Sequence, residues 1–344
     1  MAILKNSSIV LIAIAFLFVG CSSSKAFLDP TDKLPLNEPT YSLVYVIHGD
    51  ANYLYHQNGK SYQADYQALK SALNIAEHAT SGEVFIFYQK PEQKILWLFP
   101  KKDRIYYHFK NGNLVQKKTY SPQGGGLEQE AEIFNTMKAS TQNRSFFFYF
   151  GHEIPSFKNA SYHNSQPNKP FNSVIFSKDL SAFNKKFDLT VLSTCNNGNP
   201  QMIYELAGKT DAVIASPQNL HLSYLDTENV LLLEKDLKTP TLTLADSIAN
   251  FSFSRLSSTL QTAVTVSVYD LTTIEPNLDD IYERYQSHLD STKNRAPFTD
   301  NVDCKTLASL NRLIDRTGVH TYFKAANFGR SSKQSTHSGW GCKE

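Results

Sequence analysis

Two side chains in this sequence pair the chemistry of a nucleophile with that of a proton carrier, and each stands just past an apolar run. His152 follows the aromatic stretch Phe146 to Phe150 and Gly151, and Cys195 closes FDLTVLSTC. A thiol attacks a carbonyl only as thiolate, and an imidazole within hydrogen-bond reach can take that proton and return it to a leaving amine. Taken singly, each has a structural reading: a buried thiol is an ordinary core residue, and a histidine at a strand end caps a loop. Their shared placement favours chemistry, because loops beyond the carboxyl ends of parallel strands converge over one site while the strands hold them rigid.

The elements that would carry them follow from hydropathy. SLVYVIHGD and EVFIFYQK are short, nearly continuous apolar runs, as strands buried on both faces require, with a helix predicted over 61–79 between them. Strand, helix, strand in that order implies a parallel right-handed crossover. KILWLFPKKDRIYYHFKNGNLVQKK reads as a β-ribbon with turns at Pro100 to Asp103 and at Asn111-Gly112, and 121–126 as a flexible joint. A helix over 128–139 leads to the aromatic strand. After Cys195 comes NPQMIYELAG, a helix with Pro200 in its first turn and Gly208 at its end, then the strand DAVIAS. Helical segments at 227–237 and 242–257, a strand TAVTVSVYDL, and helices at 278–291 and 305–316 follow. The tail ending HSGWGCKE shows no period. The pattern is that of an α/β sandwich with a mainly parallel sheet and a C-terminal extension.

With 344 residues, 41% of them apolar and 12% aromatic, the chain can bury a full core. Its formal charge of +2 and scattered Lys and Arg residues give no nucleic-acid signature, so no nucleic-acid partner is expected. Lys5 precedes an apolar run from Ile9 to Val19 that ends at Gly20-Cys21 and turns to Ser-Ser-Ser-Lys, the layout of a signal peptide over 1–20. The run is shorter than the ~20 apolar residues a spanning helix needs. FVGC resembles a bacterial lipobox, so Cys21 is expected to carry lipid and anchor the chain to a membrane through a tether over 21–40. The compartment is then the extracytoplasmic cell envelope, or the exterior if Cys21 is not acylated. There Cys304 and Cys342 make an economical disulfide and Cys195 stays free, although spacing does not fix the connectivity.

LTVLSTCNNGNPQMIYELAGKTDAVIASPQNL resembles the catalytic-cysteine segment of the clostripain family of cysteine peptidases. VYVIHGDANYLYH, with Asp50 and Asn52, is similar to that family's first strand and loop, and TAVTVSVYDL, with Asp270-Leu271, to its late strand. The resemblance covers 41–272 and implies a caspase-like three-layer αβα sandwich, with 273–344 a helical extension and tail. It implies a dyad of His152 and Cys195, a protein or peptide substrate, and an oxyanion hole from the main-chain N–H groups of Cys195 and the residue after the histidine. That residue is Glu153, where the family has Gly. The position two before the cysteine, an aspartate in relatives that cleave after Arg or Lys, is Ser193, so preference for basic residues does not carry over; Asp226 or Glu228 would compensate only if a loop brings them near. Ser193 and His221 fall where the family shapes its substrate pocket, and His163 is a second loop histidine. The chemistry requires no cofactor, and calcium, which some relatives use, stays open as a ligand. The alternative function is a caspase-like lipoprotein without catalysis, serving as a binding or assembly module; Glu153 and Ser193 favour it.

Other motifs fail on their residues. His152-Glu153 opens a zinc HExxH pattern, but Ser156 stands where the second His belongs and Pro155 would break the helix. Gly208-Lys209-Thr210 lacks the first glycine of a phosphate loop, and there is no G-x-S-x-G. His48, Asp50 and His56 have ligand chemistry, but their setting favours first-strand and turn hydrogen bonding, so no metal site is assigned.

Overall fold

The computed structural model describes residues 38–49, 53–57, 59–90, 94–95, 99–100, 104–121, 126–140, 144–156, 170–220, 224–292 and 316–340. In chain order the elements are β1 (Tyr41–His48), β2 (Leu54–Gln57), β3 (Lys60–Gln63), α1 (Ala64–His78) and β4 (Gly82–Gln89). Then come β5 (Lys94–Ile95), β6 (Phe99–Pro100), β7 (Arg104–Lys110), β8 (Asn113–Tyr120), α2 (Glu128–Met137) and β9 (Arg144–Phe150). Next are α3 (Ser173–Ser181), β10 (Phe187–Ser193), α4 (Pro200–Leu206) and β11 (Thr210–Ala215). A 3₁₀ turn at Glu228–Glu234, α5 (Thr241–Thr259), β12 (Val264–Asp270), α6 (Leu271–Thr292), β13 (Val319–Lys324) and a 3₁₀ turn at Arg330–Lys333 follow.

Among the described residues, nine strands form one sheet in the order β13-β12-β11-β10-β9-β1-β4-β7-β8. The central five, β11, β10, β9, β1 and β4, run parallel, and an antiparallel pair closes each side. Parallel pairing needs cover on both faces, and the alternation within each strand supplies the apolar surface for it. On β9, Phe147 and Tyr149 face one layer while Phe146, Phe148 and Phe150 face the other; β1 divides the same way into Val44 and Val46 against Leu43, Tyr45 and Ile47. Helices α2, α3, α4 and α6 pack on the first face, and α1, α5 and the Glu228–Glu234 turn on the second. The result is the expected three-layer αβα sandwich. Each buried aromatic of β9 contributes about 1.5–3 kcal/mol over an exposed position, which fixes the strand that precedes His152.

Several details depart from the sequence reading. Residues 61–63 belong to β3, which pairs with β2, so α1 starts at Ala64. Pro100 lies in β6 rather than at a turn. The turn at Asn111-Gly112 is as read: both residues are left-handed, with φ 49° and 76°, as a two-residue type I′ hairpin requires. Helix α6 begins at Leu271, not 278, and runs through Pro276, because Asp270 caps it directly by accepting from the N–H and Oγ1 of both Thr272 and Thr273. Helix α3 and strand β13 carry no strong periodic signal, yet β13 pairs antiparallel with β12 and extends the sheet. Residues 305–315 of the predicted 305–316 helix and most of the 121–126 joint lie outside the described residues, and Arg316 is not helical.

Candidate active site

Strands β9 and β10 are parallel neighbours whose last paired residues are Phe150 and Ser193. His152 and Cys195 each stand two positions beyond that pair, so the two candidate residues leave adjacent strands at the same level. Gly151 N–H donates to Ser193 O at 3.3 Å and carries the ladder one step further. The direction of the connections reverses between β1, which leads to β4, and β9, which leads to β10, so His152 follows a strand at the topological switch of the sheet, where open α/β folds place their sites.

The loop after β10 is built by asparagines. Asn196 is left-handed at φ 55°, which asparagine tolerates better than most residues, and its N–H donates to Gln218 O at 3.1 Å. Asn199 caps α4 by accepting from Met202 N–H at 3.0 Å, and its Nδ2 donates to Asn196 O at 2.6 Å. Gly198 is a glycine by close approach: a Cβ there would fall 2.5 Å from the Tyr269 hydroxyl and 2.6 Å from Pro217 N. Asn197 joins the two loops: its Oδ1 accepts from Ile154 N–H and its Nδ2 donates to Ile154 O, both at 2.9 Å, with its side chain fully buried. A second link lies above it, from Asn196 Nδ2 to Glu153 Oε2 at 2.7 Å.

Cys195 is half-buried and its Sγ donates to Asn219 Oδ1 at 3.1 Å. His152 is also half-buried and stacks on Tyr53, with centroids 4.7 Å apart and planes 24° apart. Tyr53 is itself buried against Phe150, and its carbonyl accepts from Ala64 N–H, the first residue of α1, so the imidazole rests on a ring fixed to two elements. Partial exposure suits groups that must meet a substrate. Burial holds the Glu153 carboxyl above its ordinary range, and the bond from Asn196 offsets part of that effect.

Ser193, the last residue of β10, is buried; its Oγ accepts from Leu225 N–H at 3.0 Å and lines a small cavity beneath the rim. Asp226 is taken by the chain itself: Arg255 Nε donates to both its carboxylate oxygens, at 2.8 and 2.7 Å. Glu228 accepts from Ser71 Oγ at 2.5 Å. His48 is buried at the end of β1, with Nδ1 3.0 Å from the Tyr149 hydroxyl in a hydrogen bond, as the first-strand reading anticipates; His56 lies in β2. Cys21, Asp50, Asn52, His163, His221, Cys304 and Cys342 lie outside the described residues. The sequence gives little warning of Tyr53, Asn197 and Asn219: the run CNNGN is the local signal for Asn197, and nothing local marks Tyr53.

Three solved structures with this fold are C11 cysteine proteases. Over 89% of this chain and 94% of the other, it superposes on the secreted C11 cysteine protease "iotapain" of Bacteroides thetaiotaomicron with a TM-score of 0.58 at 15% identity. An inactive zymogen C11 protease from Parabacteroides distasonis matches with a TM-score of 0.55 at 14% identity, over 89% and 92% of the two chains. A structure of a Bacteroides thetaiotaomicron C11 protease bound to an irreversible peptide inhibitor matches at 0.52 and 14%, over 73% and 70%. The fold is that of the C11, clostripain-type, cysteine proteases. The caspase-like sandwich inferred from the cysteine segment is therefore the architecture found. No protein-family model matches the sequence, and no curated protein matches it. No helix among the described residues is long and apolar enough to cross a membrane.

Proposed function

We propose that this protein is a cysteine endopeptidase acting outside the cytoplasm, anchored to a membrane by lipid on Cys21. The observation that carries the reading is the register of β9 and β10, which sets His152 and Cys195 at one level on neighbouring strands. In the reaction, His152 takes the Cys195 proton and the thiolate attacks the substrate carbonyl carbon, giving a tetrahedral intermediate. The main-chain N–H groups of Cys195 and Glu153 receive the negative oxygen. The C–N bond then breaks as His152 delivers the proton to the leaving amine, and an acyl-thioester remains on Cys195. Water, deprotonated by His152, hydrolyses the thioester and restores the thiol.

Known structures of this fold support the reading, since one holds an irreversible peptide inhibitor. The test is digestion of a mixed peptide substrate by the full-length protein and its Cys195→Ala variant. Cleavage by the wild type and a loss of at least about 10³-fold in the variant are expected, as for removal of a covalent nucleophile. Equal turnover by both would place the chemistry elsewhere, and no turnover by either, with both folded, would favour a binding or assembly module on the same fold.

A further inference from the structure

Resting on the peptidase reading, we propose that the enzyme cuts after small, uncharged residues such as alanine, glycine and serine and rejects lysine and arginine, because the cavity at the ends of the strands that carry its dyad is small, is lined largely by aromatic rings, and has beside it an acid already paired with the chain's own Arg255.

The pocket lies just under the rim. It is bounded by Phe148 and Phe150 of β9, Ser193 of β10, Tyr45 of β1, and Tyr224 and Leu225 of the segment after β11. Phe150 and Ser193 are the residues two before His152 and Cys195, so this space adjoins the strand ends that carry both. Its volume is about 20 Å³. That is little more than the space one water molecule needs, and it suits a methyl or hydroxymethyl group rather than a four-carbon cationic stem. Its floor is fixed: Tyr45 and Phe148 stack face to face with centroids 4.4 Å apart, and the Tyr45 hydroxyl lies 3.3 Å from Thr227 Oγ1 in a hydrogen bond. Ser193 is engaged as acceptor for Leu225 N–H, which holds the opposite wall in place.

Charge points the same way as size. Recognition of a basic side chain needs an unpaired buried carboxylate at the end of the pocket. No carboxylate lines this cavity among the described residues: Asp226, between the lining residues Leu225 and Thr227, is buried and accepts from Arg255 Nε through both oxygens, while Arg255 Nη2 donates to Tyr224 O at 2.6 Å and its guanidinium lies 4.6 Å from the Tyr224 ring centroid. An incoming lysine or arginine would find Asp226 already engaged by Arg255. Glu228 is the rival. Its Oε2 is buried without a hydrogen-bond partner, but Ser71 and Thr227, not Glu228, face the cavity.

The deciding experiment digests a proteome-derived peptide library with the full-length protein and maps the cuts by mass spectrometry, while His152-dependent alkylation of Cys195 is measured on the same sample. Alanine, glycine and serine are expected before most cuts, with lysine and arginine depleted about tenfold or more relative to their abundance, a discrimination within reach of pocket fit. Arg255→Gln, which frees Asp226, should raise the share of cuts after basic residues at least about fivefold, and Ser193→Asp should do so independently. Cuts concentrated after lysine or arginine in the wild type, and abolished by Glu228→Gln, would overturn the proposal and make Glu228 the specificity acid. A sample whose Cys195 alkylates in a His152-dependent way but makes no cuts after small residues would overturn this inference alone. Alkylation indifferent to His152, with no cuts at all, would overturn the peptidase reading and this one with it.

Discussion

At the residue scale, Asn197 is where stability and function meet. Its amide satisfies both main-chain groups of Ile154, so one buried side chain sets the distance between the histidine loop and the cysteine loop. Removing it leaves a buried N–H and a buried C=O unpaired, each worth about 1–3 kcal/mol. Asn197→Ala is therefore expected to lower unfolding free energy by about 2–4 kcal/mol in urea titration, and to cut kcat/KM about 10–100-fold where the variant is still folded, since small misplacements at a reacting centre are costly. Unchanged activity in a destabilised variant would show that the loops keep their spacing without it. The position of His152 and Cys195 at the ends of buried strands is legible in the sequence because each follows an apolar run. Asn197, Asn219 and Tyr53 are not, because their roles arise from loops meeting across the sheet, and no local period records that.

At the element scale, the strands that position the site read clearly, since continuous apolar runs of seven or eight residues have few other readings. Helix α3 did not, being nine residues long and held by contacts distant in sequence. One of them is Asp179, whose Oδ2 accepts from Leu127 N–H at 2.8 Å and so pins the start of α2. Gly126 makes room for this contact, since a Cβ there would fall 1.8 Å from Asp179 Oδ2. Burial pushes the Asp179 carboxyl up to about 7, with Glu128 and Glu130 adding to the shift and Leu127 N–H and Lys178 opposing it. The folded chain thus binds this proton more tightly than the unfolded chain, so the stability it contributes is full below about pH 4 and is lost as pH rises through about 7. Asp179→Asn keeps an acceptor for Leu127 and removes the titration. Between pH 5 and pH 8 the Tm of the wild type should fall relative to the variant, by the equivalent of about 2–4 kcal/mol at 1.4 kcal/mol per pKa unit. A constant difference across that range would contradict the assignment.

At the scale of the whole molecule, the sheet is completed by sequence that had shown no pattern. Strand β13 pairs with β12 along six residues, and Trp340 beyond it is fully buried against Tyr269 with ring centroids 5.2 Å apart. Tyr269 in turn donates to Gly198 O at 3.1 Å, so the tail reaches the cysteine loop through one tyrosine. A tail residue that packs by shape alone, without alternation or helical spacing around it, cannot be placed by periodicity. Trp340→Ala should cost about 3–5 kcal/mol, read as a lower urea midpoint with an unchanged slope. A cost under about 1 kcal/mol would mean that the tail does not share the core.

The claim on which the rest depends is that His152 and Cys195 work as a pair. Its most direct test is the rate of iodoacetamide labelling of Cys195 in the full-length protein, followed by intact mass and site mapping across pH, for wild type and His152→Ala. A working dyad predicts labelling that stays fast well below the ordinary thiol pKa of ~8.5 and collapses in the histidine variant. Slow labelling that rises only near that pKa, with the same profile in both proteins, would contradict it.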